Sequence, residues 1–195
     1  TGFPYMYPYE QEACEDYTPI CVFKEPTESP LNDSEYPLVI TTGRLPHFHH
    51  GTMRHAPFVR ELMPVPELRI NPQTAAEYGI EHLDWVKITS RRGSSHARAY
   101  LTQGIAPGVL ITERFWNPEC FDATQDSITS GIEECGYNVM SADEFQNPCF
   151  ATNSYRAFTV KIEKCERPER VWVESEQFEP FMPTLQNAPV TEEVF

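Results

Sequence analysis

The stretch Tyr36-Pro-Leu-Val-Ile-Thr-Thr-Gly-Arg44 decides the fold class of this chain. It is a short run of apolar and β-branched residues that ends at a glycine, which predicts a buried strand followed by a tight turn. Further strands are predicted at 85–89, 97–101, 109–112 and 158–163, with the second of these following a hairpin turn. Short strands joined by tight turns indicate a mainly β fold, a compact β-barrel.

Helices are predicted to be few and short. Asn71 caps one helix, Pro72 occupies its first position and Gly79 stops it. A second helix is predicted to carry three apolar residues, Phe58, Val59 and Leu62.

The chain of 195 residues is long enough for one domain with extended ends. Residues 1–35 are acidic, rich in Pro and Tyr, and lack a clean periodicity, and the C-terminal stretch has a similar character. We therefore predict an extended acidic arm (1–35), one barrel (36–164) and a C-terminal arm (165–195).

The formal net charge is −14, from 29 acidic and 15 basic side chains. A field of this sign repels the phosphate backbone, so nucleic acid is not predicted as a partner. No apolar run reaches bilayer-spanning length, and no leader opens the chain, so any targeting signal is expected to lie outside it. The six cysteines include no C-x-x-C pair, so structural zinc is not expected.

One window of the sequence lacks acidic residues, although the chain as a whole is acidic. Between Glu35 and Glu61 there is no acidic residue. The window contains three arginines and four histidines: Arg44, Arg54, Arg60, His47, His49, His50 and His55. It follows a buried strand and a Thr-Thr-Gly turn, where backbone N–H groups can lie free beside the charges. This combination predicts binding of a phosphate or another anionic ring system.

Two other interpretations of this window stay open. It could be a surface loop whose basic residues offset the surrounding acid. Alternatively, the His47–His55 cluster could make the chain a small metal-binding protein, although adjacent histidines on a loop rarely converge and no carboxylate lies close by. The standard nucleotide and hydrolase motifs, such as G-x-G-x-x-G and G-x-S-x-G, do not occur.

The order of motifs resembles the molybdopterin dinucleotide-binding, C-terminal domain of the dimethyl-sulfoxide-reductase superfamily of molybdenum and tungsten enzymes. The Tyr36–Arg44 stretch looks like the opening of that domain. Across about residues 36–164 the later motifs follow in the expected order: Pro57-Phe-Val-Arg-Glu-Leu62, Ile70-Asn-Pro72, Ala76-x-x-Gly79-Ile80, Asp84-Trp-Val86, Ser90-Arg-Arg-Gly93, Pro107-Gly-Val109, Asn138-Val139 and Tyr155-Arg156. An ordered series is more specific than any single motif.

The resemblance implies a double-psi β-barrel, of the aspartate-decarboxylase-like type, with a few short helices. It implies that the barrel holds a bis-molybdopterin guanine dinucleotide carrying Mo or W, with the metal ligand supplied outside this chain. By position, the cofactor-binding residues would be Thr42, Gly43, Arg44, His50, Thr52, Trp116, Asn138, Tyr155 and Arg156. No catalytic or metal-ligating residue is expected here, so the isolated chain should be inactive.

The resemblance also implies a larger prokaryotic oxidoreductase, or a related hydratase, that is either cytoplasmic or exported. Its partners would be the remaining domains of the same enzyme and an iron–sulfur electron-transfer subunit. The alternative is a non-catalytic double-psi barrel that serves as an interaction module. A peptide-binding barrel, however, has no need for so many Arg and His residues between positions 44 and 60.

Overall fold

The computed structural model describes residues 23, 25–53, 59, 62–63, 65–114, 116, 135–141 and 156–168. Six strands close into one barrel: β1 (Leu38–Gly43), β2 (Glu67–Ile70), β3 (Trp85–Thr89), β4 (Ser94–Leu101), β5 (Val109–Glu113) and β6 (Phe158–Cys165). Their order around the barrel is β1-β5-β2-β4-β3-β6, and β6 pairs with β1 to complete the circle. The predicted mainly β barrel is confirmed.

Two of the strand pairs are parallel. Strand β1 pairs with β5, and β2 pairs with β4, whereas the other four pairs are antiparallel. Parallel neighbours cannot be joined by a hairpin, so the chain must cross over between the members of each pair. Two such crossed pairs in one closed six-stranded barrel form the double-psi arrangement that the resemblance implied.

The barrel is filled by alternate residues of its strands. Strand β3 and the first four residues of β5 bury every second side chain, as a period of two requires when one face of a strand points inward. The largest fully buried apolar side chains are Phe158, Ile40, Leu68, Ile70, Ile88, Leu110, Met140, Val86 and Val160. A second apolar cluster contains Leu45, Phe48, Val59, Met63, Val65, Trp116 and Cys135. This second cluster anchors the loop that follows β1.

The predicted helix at Asn71 is confirmed. Helix α1 spans Pro72–Glu77, and the Asn71 side chain accepts a hydrogen bond from the backbone N–H of Gln73 at 2.9 Å. Gly79 lies beyond the helix with a φ of +64°, a left-handed conformation that glycine adopts without strain. The helix therefore begins after Asn71 and ends before Gly79, as the sequence predicts.

Strand β2 has no counterpart among the sequence predictions. It has four residues, and its charged members Glu67 and Arg69 leave only Leu68 and Ile70 as an apolar signal. Two apolar residues are too few to define a period.

For the second predicted helix, Val59 and Leu62 are helical, and Phe58 lies outside the described residues. Val59 is buried in the second cluster, while Leu62 is exposed. Within the part of the chain that the structure describes, no helix has the length and apolarity that crossing a membrane requires.

The described part of the N-terminal arm lies against the turn between β3 and β4. The Arg92 guanidinium binds both carboxylate oxygens of Glu28, and Arg91 Nη2 lies 2.5 Å from Asp33 Oδ2. Ser29, between the two acidic residues, is only 2% exposed. Glu28 and Asp33 of this segment are therefore paired with arginines of the β3–β4 turn.

The Glu28 carboxylate gives the stability of the chain a specific pH dependence. Burial raises the pKa of this carboxyl, but hydrogen bonds from Arg92 and the Thr159 N–H, with the charges of Arg92 and Arg91, bring it below the ordinary 4.5. A depressed pKa means that the stabilisation is present above pH 4.5 and is lost as the pH falls through the folded-state value. Glu28→Gln is expected to lower the melting temperature at neutral pH and to have a diminishing effect in acid.

Thermal melts of the native chain and Glu28→Gln, taken from about pH 7 down to about pH 3, measure this dependence. The control is Glu35→Gln, because Glu35 is exposed and its contact to Lys161 Nζ is 3.5 Å long. A Glu28→Gln penalty that stays constant across the whole pH range would contradict the expectation.

Candidate binding site at one end of the barrel

Several strand ends meet at one end of the barrel, which we call the site end. Because β1 and β5 are parallel, their carboxyl ends at Gly43 and Glu113 lie side by side. Strand β6 runs antiparallel to β1, so it begins at this end, with Phe158 opposite Ile40. Strand β3 is antiparallel to β6, and the turn that joins it to β4 (Ser90–Gly93) therefore lies at the same end.

An open cleft lies at the site end, next to the carboxyl ends of β1 and β5. It is lined by Gly43, Arg44, Leu45, Phe48, His50, Glu113 and Arg114. Two arginines outnumber one carboxylate there, in a chain whose net charge is −14. The local positive excess attracts anions.

The position of Arg44 follows from its two neighbours. Gly43 ends β1 in register with Glu113, and a Cβ atom at position 43 would lie 2.7 Å from Ile111 Cγ2. A glycine thus allows β1 to approach β5 closely at this point. On the other side, Leu45 is buried in the second cluster. Arg44 is exposed between these two anchored residues and borders the cleft.

The loop after Arg44 is folded tightly on itself. His50 and Met53 have φ angles of 54° and 67°, in the left-handed region that side chains other than glycine rarely adopt. The backbone N–H of Thr52 donates to the His49 carbonyl oxygen at 3.0 Å, and the Thr52 hydroxyl donates to the same oxygen at 2.5 Å. The hydroxyl proton of Thr52 is thus used within the loop, and His50 is placed at the cleft.

The surroundings of His50 favour its neutral form. Partial desolvation lowers the pKa of His50 below the ordinary 6.5, and the positive charges of Arg44, His49 and Arg114 lower it further. A neutral imidazole donates one hydrogen bond and accepts another, whereas arginine only donates and stays charged. The cleft therefore combines fixed positive charge with one directional, uncharged group.

Trp116 packs against Phe48, one of the residues that line the cleft. Its side chain is 4% exposed and meets Phe48 edge to face, with ring centroids 6.5 Å apart and ring planes at 79°. Phe48 also lies 4.8 Å from the His47 ring, and His47 Nε2 is a buried nitrogen with no hydrogen-bond partner among the described residues. Most buried polar atoms in folded proteins have a hydrogen-bond partner, so this nitrogen is an exception.

The remaining predicted site residues lie around the rim of the site end or in β1. Thr42 is half-buried near the end of β1, Arg156 is exposed just before β6, and Asn138 is exposed in a 3-10 turn (Tyr137–Val139). Tyr155 lies outside the described residues. The structure therefore brings these predicted residues to one end of the barrel: Thr42, Gly43, Arg44, His50, Trp116, Asn138 and Arg156.

Sequence reasoning missed Arg114 and Glu113. Glu113 is 5% exposed, and its Oε2 accepts a hydrogen bond from the Glu67 N–H at 3.0 Å. A signal was present, since Val39-Ile-Thr-Thr-Gly-Arg44 and Val109-Leu-Ile-Thr-Glu-Arg114 have the same layout, and the structure pairs them in parallel from the valines onward. Each strand delivers one arginine to the cleft.

The described residues do not form a metal site. They include His47, His49 and His50 but not His55, and no three His, Cys, Asp or Glu side chains among them come together as metal ligands. The side-chain donors that line the cleft are the guanidinium groups of Arg44 and Arg114 and the imidazole of His50. They fit an anionic ligand with hydrogen-bonding rings better than they fit a bare cation.

The chain is similar to proteins of one family. The model of the family described as "Molydopterin dinucleotide binding domain" matches residues 38–157. The dopamine dehydroxylase of Eggerthella lenta is 40% identical over 147 residues, which cover 73% of this chain and 14% of that protein. The F420-dependent formate dehydrogenase subunit alpha of Methanocaldococcus jannaschii is 41% identical over 91 residues, 46% of this chain and 13% of that protein.

A solved structure supports the fold. Acetylene hydratase from Pelobacter acetylenicus superposes with a TM-score of 0.66 at 18% identity, over 77% of this chain and 22% of that chain. The chain thus spans only 13–14% of the length of the two curated relatives named above. Since the family match covers more than half of its residues, the chain belongs to the molydopterin dinucleotide binding domain family.

Proposed function

We propose that this chain is the cofactor-holding, C-terminal domain of a molybdenum or tungsten oxidoreductase, and that its site end binds a bis-molybdopterin guanine dinucleotide. The observation that carries the proposal is the pair Arg44 and Arg114, which border one cleft at the ends of two parallel strands in an acidic chain. A dinucleotide carries phosphates, and the cleft offers them fixed positive charge.

The residues at the site end would divide the work of binding. Arg44 and Arg114 would hold anionic oxygens through charge-assisted hydrogen bonds, each worth about 1.5–3 kcal/mol. Neutral His50 would give directional contacts to a ring or a phosphate. The amide of Asn138 would pair with the edge of a heterocycle, and Arg156 would add a further donor at the rim.

Three further predicted residues have different roles in this proposal. Thr42 would lie along the wall next to Gly43, Thr52 would shape the loop that presents His50, and Trp116 would support the cleft through Phe48. Tyr155 stays a prediction from the resemblance.

When bound, the cofactor supplies the redox chemistry of the full-length enzyme at its metal. This chain would bind and orient the dinucleotide and supply positive charge, while the metal ligand would come from another part of the enzyme. The buried Nε2 of His47 offers one more hydrogen-bonding atom near the cleft wall.

The partners that we propose are the remaining domains of the same enzyme, because the chain matches only a small part of much longer relatives. We also propose an iron–sulfur electron-transfer subunit as a partner of the complete enzyme. Residues 36–164 would form the binding domain, with 1–35 and 165–195 as arms that contact those partners.

The test compares the full-length enzyme with the isolated chain. Acid hydrolysis of the purified enzyme is expected to release about two pterins and two guanine nucleotides per polypeptide, as a bis-dinucleotide cofactor requires. The isolated chain is expected to be inactive and to carry no stoichiometric transition metal in elemental analysis. A metal that copurifies with the isolated chain, and is lost when His47, His49 and His50 are replaced by alanine, would favour the metal-binding alternative.

A further inference from the structure

The turn between β3 and β4 contacts the Tyr137–Met140 segment closely. The Ser90 hydroxyl and Arg92 Nε both donate to the Met140 carbonyl oxygen, each at 2.9 Å. A Cβ atom on Gly93 would lie 2.7 Å from both Cγ1 and the carbonyl oxygen of Val139. The glycine therefore permits an approach that no other residue could make without a shift.

Arg92 is held in one orientation by three groups, the Glu28 carboxylate, the Phe158 ring and the Met140 carbonyl. Its two terminal nitrogens bind both oxygens of Glu28, and Glu28 in turn accepts a hydrogen bond from the Thr159 N–H at 3.2 Å. The guanidinium lies over the Phe158 ring, 5.4 Å from the centroid. With these contacts made, Nε faces the Met140 carbonyl, which fixes the end of the Tyr137–Met140 segment.

Asn138 is the exposed member of this segment. Tyr137 and Met140 on either side of it are 5% and 0% exposed, and the Tyr137 ring packs against Phe158 with centroids 5.4 Å apart. Within the part of the chain that the structure describes, the Asn138 side-chain amide makes no hydrogen bond, and only its backbone carbonyl is used, by Ser141 Oγ at 3.2 Å. The backbone is anchored while the amide faces outward.

We propose that Arg92 is a positioning residue, which, held by Glu28, fixes the Tyr137–Met140 segment so that Asn138 presents its amide to the bound dinucleotide. The proposal rests on the proposed function and adds to it a residue that does not touch the cofactor. It also makes Glu28, in the arm before the barrel, part of the binding site's support.

Two variants perturb this support in different ways. Arg92→Lys keeps the charge beside Glu28, but its one ammonium nitrogen cannot reproduce the planar fork of Nε, Nη1 and Nη2 that bonds Met140 and both oxygens of Glu28. Gly93→Ala leaves every charge in place and forces Val139 away. In the full-length enzyme, each is expected to release the cofactor about threefold to tenfold faster than native, the effect of one lost hydrogen bond. Release is followed by the fluorescence of freed, oxidised pterin well below the melting temperature.

Arg91→Lys is the matched control. Arg91 is next to Arg92 on the same turn, but its side chain is 51% exposed and binds Asp33 rather than the Asn138 segment. It is expected to release cofactor at the native rate. Release that is equally fast from Arg91→Lys and Arg92→Lys would overturn the proposal, because it would reflect general loosening of the turn.

A double-variant comparison separates positioning from stability. If Arg92 acts through Asn138, then Arg92→Lys adds nothing to the release rate of Asn138→Ala, whereas independent effects would multiply. Two results would overturn the positioning role and leave the proposed function intact. One is that the effects of Arg92→Lys and Asn138→Ala on the release rate multiply. The other is that Asn138→Ala releases cofactor at the native rate while Arg44→Ala loses it rapidly. Native rates for both Arg44→Ala and Asn138→Ala would instead overturn the proposed function.

Discussion

The Arg44→Ala variant of the full-length enzyme is expected to lose most of its bound cofactor while this domain stays folded. Arg44 is exposed at the cleft and lies in the acid-free window of an acidic chain. Removing its guanidinium removes charge-assisted hydrogen bonds worth about 1.5–3 kcal/mol each, which corresponds to about a tenfold to hundredfold loss of affinity. Pterin and metal content per polypeptide, measured beside thermal melts, give the result.

Arg114→Ala should act in the same direction, because Arg114 borders the same cleft. The matched control is Arg98→Ala, since Arg98 lies on β4 with its side chain near the Leu83 carbonyl, away from the cleft lining. Full cofactor content in Arg44→Ala, or a loss that appears only when the domain unfolds, would mean that the loop after β1 is not the binding surface.

Phe158→Ala is expected to lower the free energy of unfolding by about 3–5 kcal/mol, the range measured for large buried aromatics. Phe158 is 2% exposed and belongs to the buried apolar cluster that fills the barrel, where it pairs in register with Ile40 and packs against Tyr137. It also lies beneath the Arg92 guanidinium. Alanine would leave a cavity under the segment that carries Asn138 and loosen both the barrel and its rim.

Phe23→Ala serves as the control. It removes the same kind of side chain, but from the surface, because Phe23 is 82% exposed. Denaturant unfolding of both variants measures the difference, and Phe23→Ala should change stability by less than about 0.5 kcal/mol. If Phe158→Ala lowered the free energy of unfolding no more than Phe23→Ala does, the packing described here for the barrel around β1 and β6 would be wrong.

Much of the local structure could be predicted from the sequence, because it depends on residues that are neighbours in the chain. The Asn71 cap, the stop at Gly79 and the β3–β4 hairpin at Gly93 are all present as expected. Strand β2 was missed, because two of its four residues are charged and the two apolar ones do not define a strand pattern. Its place in the barrel depends on pairing with β4 and β5. The predicted site residues were assigned by resemblance, and their roles stay proposals.

The sequence by itself determined that short strands dominate, that one basic window stands in an acidic chain, and that the order of motifs resembles one family of cofactor-binding domains. Only the tertiary structure decided that Arg114 joins Arg44 at one cleft and that Arg92 connects Glu28 to the Asn138 segment. The physical reason is that parallel pairing of β1 with β5 needs a long crossover, and closure of the whole barrel sets its register. The similar layout of the two strands in the sequence does not by itself specify that they pair.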